Sequence, residues 1–450
     1  MDSTIPKPSQ LTHLAALPYP GRGHINALIN FCKLLSRKNP NILISFIVSD
    51  EWLSLLAADP KPPNLHFSTF PNIIPSEHGR ANDFPGFFRS VNTIMESPIH
   101  TLLTHLNPPP SIIVADSFVS WAVPLANRLN IPVASFWPMS VTVLSMYYHF
   151  NLLQENGHFP ADLSERGEEI VDYIPGVSDT RLADLPTFFS GDGHEVVDLT
   201  VKAARSIDKA QFLISTSVYE LEPSVIDAFK LKFPFPVYTI GPCTPYFETT
   251  NSCTDEYFQW LDSQTECSVL YISQGSFLSV SSSQMEEIVA GVKASGVRFL
   301  WVARGNDGRL KDVDREMGVV VRWCDQLKVL CHSAVGGFWT HCGWNSTMEG
   351  VFAGVPMLTW PIFCDQVPNR KKIVEEWKVG VRVEAVGGKD LVRREEIANF
   401  VKRFMKTESV EGRKMRKRAS ELQDICRGAV EEGGSSSSNM DAFIGRITTV

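Results

Sequence analysis

The sequence predicts an α/β protein with two doubly wound domains of similar size, each built on a parallel sheet. Short apolar runs alternate with longer amphipathic segments along the whole chain of 450 residues. Such strand–helix–strand repetition implies right-handed crossovers between parallel strands. The alternation weakens once, after Gly241-Pro242, and then restarts. One interruption between two similar halves indicates two domains.

The first half contains a series of apolar runs that are typical of buried strands. Between the first two runs, apolar residues from Ile25 to Leu35 recur at i, i+3, i+4, i+7 and i+10, which places them on one helix face. The predicted strands are Leu14–Leu17, Ile42–Val48, Leu65–Phe70, Ile112–Ala115, Val133–Trp137, Phe212–Thr216 and Val237–Ile240.

The second half repeats this architecture without repeating the sequence. Residues 243–256 are predicted to link a first domain, 1–242, to a second, 257–434, because they contain few strand formers. Residues 391–428 are highly charged, which is typical of a solvated amphipathic helix. The predicted strands are Ser268–Ser273, Phe299–Ala303, Val319–Arg322, Gly337–Trp339, Met357–Trp360 and Gly380–Glu384.

The end of the chain is predicted to fold back. Glu431–Ser438 has the composition of a flexible hinge, and Asn439–Val450 has Met440, Phe443 and Ile444 on one helix face. We therefore expect the tail 435–450 to form a helix that packs toward the first domain.

Composition and charge exclude several classes of protein. Lys and Arg number 42 against 50 Asp and Glu, a net charge of −8, which argues against a general nucleic-acid binder. A hydrophobic share of 44% excludes a wholly disordered chain. No apolar run reaches the roughly 20 residues that cross a bilayer, and the first residues lack a signal-peptide layout. Nine irregularly spaced cysteines indicate reduced thiols, so we expect a cytoplasmic protein and, by default, a monomer.

The densest group of candidate functional residues runs from Trp323 to Gln366. Within it, a strand leads through a glycine turn into a helix that begins near Trp344. Backbone N–H groups and the macrodipole at a helix start attract phosphate. The turn also lies beyond the carboxyl end of a parallel strand, where α/β folds bind ligands. These features predict a site for a phosphate-bearing ligand.

Single residues of this group have structural alternatives. Ser346 and Glu349 fit a capping box, Asp365 fits a cap for the next helix, and Trp323 fits a core residue. As ligand groups, Trp323 offers a face for a nucleobase and Glu349 an acceptor for ribose hydroxyls. Taken singly, the structural roles are favoured, and only the joint presence of these residues favours a ligand site.

As a whole, this span resembles the signature box of plant family-1 UDP-dependent glycosyltransferases. The resemblance extends to Pro20–His24 and to Gly433–Ser436, and so covers essentially the whole chain. It implies a GT-B fold of two facing Rossmann-like domains, in which the second binds a nucleotide sugar and the first binds an acceptor. The matching positions are Trp323, Gln326, His332, Gly336, Phe338, His341–Ser346, Glu349, Gly354–Pro356, Pro361, Asp365 and Gln366.

The resemblance also implies a role for each residue of the donor site. Glutamine at the last position of the box, Gln366, goes with UDP-glucose as donor. Trp323 would stack on uracil, with Cys324 acting through its backbone and Gln326 near the uridine; Glu349 would bind the ribose; His341, Asn345, Ser346 and Ser276 would hold the diphosphate; and Trp344, Asp365 and Gln366 would face the sugar.

A second candidate site lies in the first half. His24 follows a predicted strand and a glycine turn, and Asp116 follows the strand Ile112–Ala115. Alone, His24 could be a capping or packing residue and Asp116 a turn or cap residue. Imidazole changes protonation near neutral pH, which suits proton removal from a hydroxyl, and a carboxylate beside it stabilises the imidazolium. The resemblance implies that His24 is the general base and Asp116 its partner.

The implied reaction is a single in-line displacement that gives a β-glucoside. The departing diphosphate would be stabilised by the helix start, so we expect no metal and no further cofactor. We expect a small acceptor, a phenolic, an aromatic acid or a terpenoid, in a pocket lined by Phe84–Phe88, Trp137–Tyr148 and Leu182–Phe189. A carboxylic acid would give a glucose ester instead. The alternative function is a nucleotide-sugar-binding protein of the same fold without turnover.

Overall fold

Two parallel sheets organise the chain, one in each half. All of the strands predicted above are present, with bounds that differ by a few residues. The computed structural model describes residues 12–57, 59–189, 194–244, 255–275, 280–303, 310, 313–384, 391–406 and 408–449. The strands are β1 His13–Leu17, β2 Leu43–Ser49, β3 Leu65–Phe70, β4 Ile112–Asp116, β5 Val133–Trp137, β6 Ile170–Val171, β7 Thr180–Arg181, β8 Phe212–Ser215, β9 Val237–Thr239, β10 Val269–Ser273, β11 Arg298–Val302, β12 Gly318–Val321, β13 Val335–Thr340, β14 Met357–Thr359 and β15 Gly380–Arg382.

Helices connect the strands and cover both faces of the sheets. None of the described helices is long and apolar enough to cross a membrane. The helices are α1 Arg22–Lys38, α2 Asp50–Leu56, α3 Phe84–Thr93, α4 Glu96–His105, α5 Ala122–Arg128, α6 Val141–Tyr148, α7 Phe150–Glu155, α8 Leu163–Arg166, α9 His194–Ser206, α10 Pro223–Lys232, α11 Glu256–Asp262, α12 Ser282–Ser295, α13 Gln326–Leu330, α14 Trp344–Ala353, α15 Gln366–Lys371, α16 Arg394–Met405, α17 Val410–Val430 and α18 Ser435–Thr448.

The strand orders place a switch point in each sheet. The first sheet has the order β3-β2-β1-β4-β5-β8-β9 and the second has β12-β11-β10-β13-β14-β15, with every pair parallel. The order reverses between β1 and β4 and between β10 and β13. Ligands of doubly wound folds bind beyond the carboxyl ends of the strands at such points. The loops after these four strands therefore define where a site can form.

Buried strands with two apolar faces hold each half together. In β1, Ala15 and Leu17 join one apolar cluster, while Leu14 and Ala16 join the cluster on the opposite face. Because successive side chains of a strand point to opposite faces, a run that is apolar throughout can cover both sides of a buried parallel sheet. In β10, likewise, Tyr271 joins one apolar cluster, while Leu270 and Ile272 join the cluster on the opposite face.

Two local expectations about the end of the chain were wrong. Ser435–Ser438 is the first turn of α18 and not a hinge, because the serine hydroxyls find partners in the first half: Ser436 Oγ donates to the Gly241 carbonyl and Ser437 Oγ accepts from Lys38 Nζ. Phe443 then packs near the Phe31 ring, 6.0 Å between centroids. The charged stretch 391–428 forms two helices, α16 and α17, rather than one.

The sequence patterns missed one small element, and part of one predicted segment is not described. Strands β6 and β7 form an antiparallel pair of two residues each, too short to leave a periodic signal. Of the predicted linker 243–256, residues 245–254 lie outside the described part of the chain.

Candidate active site

A cavity of about 810 Å³ lies between the two halves, at the ends of the strands named above. Its lining includes most of the residues predicted from the sequence. Asp116 lies behind the lining, and Ser276 falls outside the described residues. The predicted residues in the lining are His24, Trp323, Cys324, Gln326, His341, Trp344, Asn345, Ser346, Glu349, Asp365 and Gln366.

His24 and Asp116 form a hydrogen-bonded pair. The His24 Nδ1 lies 2.8 Å from Asp116 Oδ2, and the second carboxylate oxygen accepts from the Phe118 backbone N–H at 2.9 Å. A carboxylate only accepts, so Nδ1 carries the hydrogen and Nε2 is the nitrogen that can take up a proton. His24 is the third residue of α1 and the N-cap is Gly21, so the capping alternative for His24 is wrong.

Two aromatic rings enclose the His24 imidazole. Its centroid lies 4.9 Å from that of Tyr19 and 5.0 Å from that of Phe118. Both rings line the cavity. Neither ring was predicted from the sequence, although Tyr19 lies five positions from His24 and Phe118 two positions from Asp116.

The start of α14 opens into the cavity from the second half. Gly343 is its N-cap and Ser346 its third residue, so the capping-box alternative for Ser346 and Glu349 is wrong. His341 lies against two glycines, because a Cβ at Gly275 or at Gly343 would come within about 2.6 Å of its ring. Gly275 also has φ +80°, a left-handed backbone that favours glycine. The glycines thus let the two loops approach each other around His341.

A hydrogen-bond network joins Ser346 and Glu349 of α14 to Gln326 and Tyr271. The Gln326 amide nitrogen donates to Ser346 Oγ at 2.9 Å and to the Glu349 carboxylate, and Tyr271 Oη donates to Gln326 Oε1 at 3.0 Å. Burial raises the pKa of Glu349 to about 7, although the bond from Gln326 acts in the opposite direction. Tyr271 lies 55 positions from Gln326, and no local pattern connects them.

Trp323 and Cys324 are neighbours with opposite exposure. Trp323 is 66% exposed, so its assignment to the core was wrong, and its ring lines the cavity. Cys324 is buried, with its Sγ 3.4 Å from Tyr271 Oη.

Asp365 and Gln366 are held by their own loop and helix. Gln366 Oε1 accepts from the backbone N–H groups of Ile362 and Phe363, at 2.8 and 3.0 Å. Asp365 occupies the N-cap position of α15, as its structural alternative predicted, but its side chain accepts from Asn369 Nδ2 at 2.9 Å and makes no cap hydrogen bond. Burial raises the pKa of Asp365 to about 6, and the nearby His24 acts against this shift. An i,i+4 spacing on α15 could have identified Asn369.

Direct contacts join the two halves at the cavity. Asn345 Nδ2 donates to the Gly23 carbonyl at 2.7 Å, so this amide lies between the starts of α14 and α1. The expected acceptor segments contribute Phe84, Met139 and Phe188 to the lining. Met146, which lies in one of those segments, is instead buried in the core.

Sequence comparison identifies the family. The UDP-glucoronosyl and UDP-glucosyl transferase family matches residues 101–416, about 70% of the chain. The chain belongs to the UDP-glycosyltransferases. It is 53% identical to UDP-glycosyltransferase 87A1 of Arabidopsis thaliana over 440 residues, 96% of this chain and 100% of that protein. It is also 53% identical to UDP-glycosyltransferase 87A2 of the same plant, over 100% of this chain and 99% of the relative.

Solved glycosyltransferase structures share the fold. Medicago truncatula UGT71G1 complexed with UDP-glucose has a TM-score of 0.81 at 29% identity, covering 97% of this chain and 98% of that one. Phytolacca americana UGT2 complexed with UDP-2fluoro-glucose and pterostilbene has a TM-score of 0.81 at 26% identity, covering 97% and 100%. The predicted family, the GT-B fold and the enzyme class are thereby confirmed.

Proposed function

We propose that this glycosyltransferase uses UDP-glucose and transfers glucose, with inversion, to a hydroxyl or carboxyl group of a small lipophilic plant metabolite, forming a β-glucoside or a glucose ester. One observation carries the proposal. His24 of the first half, with Asp116 bonded behind it, lines the same cavity as the start of α14 and the Asp365 carboxylate. A base and a diphosphate site must face each other for such a transfer.

The donor is proposed to lie along the second half. Trp323 offers an exposed ring for uracil, Gln326 lies near the uridine, and Glu349 accepts from ribose hydroxyls. The first-turn N–H groups of α14 bind the diphosphate, together with His341, Asn345, Ser346 and Ser276. Trp344, Asp365 and Gln366 face the sugar, and Gln366 favours glucose.

The chemistry follows from the placement of the pair. His24 Nε2 takes the proton of the acceptor hydroxyl while its oxygen attacks the anomeric carbon and the bond to UDP breaks. Asp116 stabilises the imidazolium, and the start of α14 stabilises the charge on UDP. Attack from the face opposite UDP inverts an α-linked donor. We propose that neither a metal ion nor another cofactor takes part.

The residues that line the cavity beside His24 favour a flat or apolar acceptor. Phe84, Phe118, Phe188 and Met139 line the cavity beside His24. Phytolacca americana UGT2 was solved with pterostilbene, and a Polygonum tinctorium relative is capable of glucosylating indoxyl. We therefore propose a phenolic, an aromatic acid or a terpenoid acceptor. The eight described cysteines are free thiols, in keeping with the proposed cytoplasmic location of a monomer.

The test is product formation by the purified protein and by His24→Ala. The protein is incubated with UDP-glucose and a panel of phenols, aromatic acids and terpene alcohols, and mass spectrometry detects hexosyl addition. Product from the wild type, with a loss of about 10²–10⁴-fold in His24→Ala, is expected for a hydroxyl acceptor. Similar rates for both would indicate a carboxylate, which needs no base.

The control for that loss is His100→Ala, because His100 is an exposed residue of α4 that does not line the cavity. Bound UDP-glucose with neither transfer nor UDP release would contradict the proposal and favour the non-catalytic alternative.

A further inference from the structure

One loop of the second half packs against the first half. This loop, residues 360–366, ends with the two sugar-side residues of the donor site. Its Phe363 ring meets Phe84 and Phe188 edge-on, at centroid distances of 5.4 and 4.9 Å. Phe363 and Cys364 both pack against the apolar core of the first half. The loop that carries Asp365 therefore rests on the acceptor-binding half.

Cys364 has an unfavourable backbone conformation that this contact stabilises. Its φ is +57°, in the left-handed region that a side chain other than glycine rarely adopts. Thr187 pairs with both backbone groups of Cys364: Thr187 Oγ1 accepts from the Cys364 N–H at 2.8 Å, and the Thr187 N–H donates to the Cys364 carbonyl at 3.3 Å. A strained residue persists when its surroundings over-determine it, and here the surroundings come from the other half.

A second contact fixes the helix that follows the loop. Arg370 of α15 donates to Asp184 Oδ1 at 2.6 Å, and Arg181 donates to Asp184 Oδ2 at 2.7 Å. The Asp184 side chain is only 2% exposed, so this ion pair is screened little by solvent. Segment 184–188 of the first half thus contacts the loop on one side of Gln366 and the helix on the other.

We propose that Thr187 is a positioning residue for the donor sugar. It sets the turn at Cys364 and thereby the place of Asp365 and Gln366, so the acceptor-binding half shapes the sugar site. This inference rests on the proposed function. The uridine side of the donor site is independent of Thr187, because Trp323 and Glu349 belong to other elements. Loss of the Thr187 hydroxyl therefore weakens sugar recognition and spares nucleotide recognition.

The experiment measures two dissociation constants by calorimetry, one for UDP and one for UDP-glucose, without acceptor. Thr187→Val keeps the shape of the side chain and removes the acceptor of the Cys364 N–H. We expect UDP-glucose to bind about tenfold more weakly and UDP to bind as in the wild type, since one hydrogen bond is lost. Thr187→Ser should restore the binding. The matched control is Thr200→Val, which removes a buried hydroxyl that bonds within α9.

Two results would overturn the inference: UDP-glucose binding that is unchanged in Thr187→Val, or an equal loss for UDP and UDP-glucose. Unchanged UDP binding also shows that the variant is folded. The proposed function is judged separately, by product formation in the wild type. A protein that binds UDP-glucose and forms no product contradicts that function and leaves the comparison of the two dissociation constants decisive for Thr187.

Discussion

On the proposed donor side of the cavity, formed by the second half, most lining residues come from the single stretch 323–366, whereas the proposed acceptor side, formed by the first half, is assembled from separate segments. Tyr19 and His24 follow β1, Phe84 begins α3, Phe118 follows β4, and Phe188 precedes α9. A contiguous stretch keeps most of its geometry through local contacts, apart from the turn at Cys364, which Thr187 of the first half holds. A pocket built from distant segments changes with each of them.

The carboxylates of the two sides also differ. Asp116 pairs with His24 and with a backbone N–H, so its charge is compensated inside the protein. Glu349 and Asp365 accept hydrogen bonds from the side-chain amides of Gln326 and Asn369, and burial raises the pKa of each. A ligand that supplied hydroxyl donors would stabilise the ionised form of both carboxylates, and this expectation can be tested.

The largest expected effect lies on the acceptor side. Asp116→Asn removes the charge that stabilises the imidazolium, and kcat for a hydroxyl acceptor should fall by about 10²–10⁴-fold while UDP affinity is unchanged. Initial rates and calorimetry measure the two quantities. Asp262→Asn is the control, because it breaks a second His–Asp contact, His332 Nε2 to Asp262 Oδ1 at 3.1 Å, at an exposed site. Equal losses in both variants would contradict a catalytic pair.

The next effect lies on the donor side. Trp323→Ala removes the exposed ring proposed to stack on uracil, and UDP should bind about 5- to 150-fold more weakly, as stacking on one base contributes about 1–3 kcal/mol. Calorimetry with UDP measures the change. Leu231→Ala, at an 89% exposed leucine of the first half, should leave the affinity as it is. An unchanged Trp323→Ala affinity would place the base elsewhere.

A smaller effect concerns pH. If ribose hydroxyls donate to Glu349 as proposed, they favour its ionised form, whereas burial raises its pKa to about 7 in the free protein. Binding therefore releases a proton below pH 7, and UDP affinity should fall by up to about tenfold per unit as the pH falls from 7 to 5. The stability of the free protein has the opposite pH dependence. Because the pKa of Glu349 is raised on folding, the free energy of unfolding falls as the pH rises from about 4.5 to 7.

Glu349→Gln tests the expected pH dependence of both UDP affinity and protein stability. The variant should lose most of the pH dependence of UDP affinity, and its Tm relative to the wild type should be higher at pH 8 than at pH 5. A wild-type affinity that is flat between pH 5 and 7 would show that Glu349 does not accept from the ligand.

The last prediction is that removal of metal ions leaves the transfer rate unchanged. If the start of α14 stabilises the departing diphosphate, EDTA should leave the rate of glucosyl transfer unchanged. Loss of activity in EDTA with recovery upon addition of Mg²⁺ or Mn²⁺ would show that the donor side needs a cation and that the helix start is not sufficient.

Local sequence predicted the strands and the turn before α14, because each depends on residues close together in the chain, whereas the family resemblance supplied the two members of the His24 pair. The patterns failed where a distant partner decides the conformation. Ser435–Ser438 looks like a hinge in isolation, yet Lys38 and Gly241 make it helical. Tyr271 of β10 reaches Gln326 at the start of α13 through tertiary packing, and no spacing in the sequence indicates this contact.

By itself, the sequence determined the parallel α/β architecture, the helix start that can hold a diphosphate, and the residues available for base and donor chemistry. Periodicity, glycine turns and residue type act over a few positions, so they can be recognised along the chain. The family resemblance had already implied that Asp116 is the partner of His24, whereas only the tertiary structure decided that Thr187 meets Cys364 and that Tyr271 meets Gln326. Those contacts depend on how sheets and halves pack, which sets distances between residues far apart in the chain.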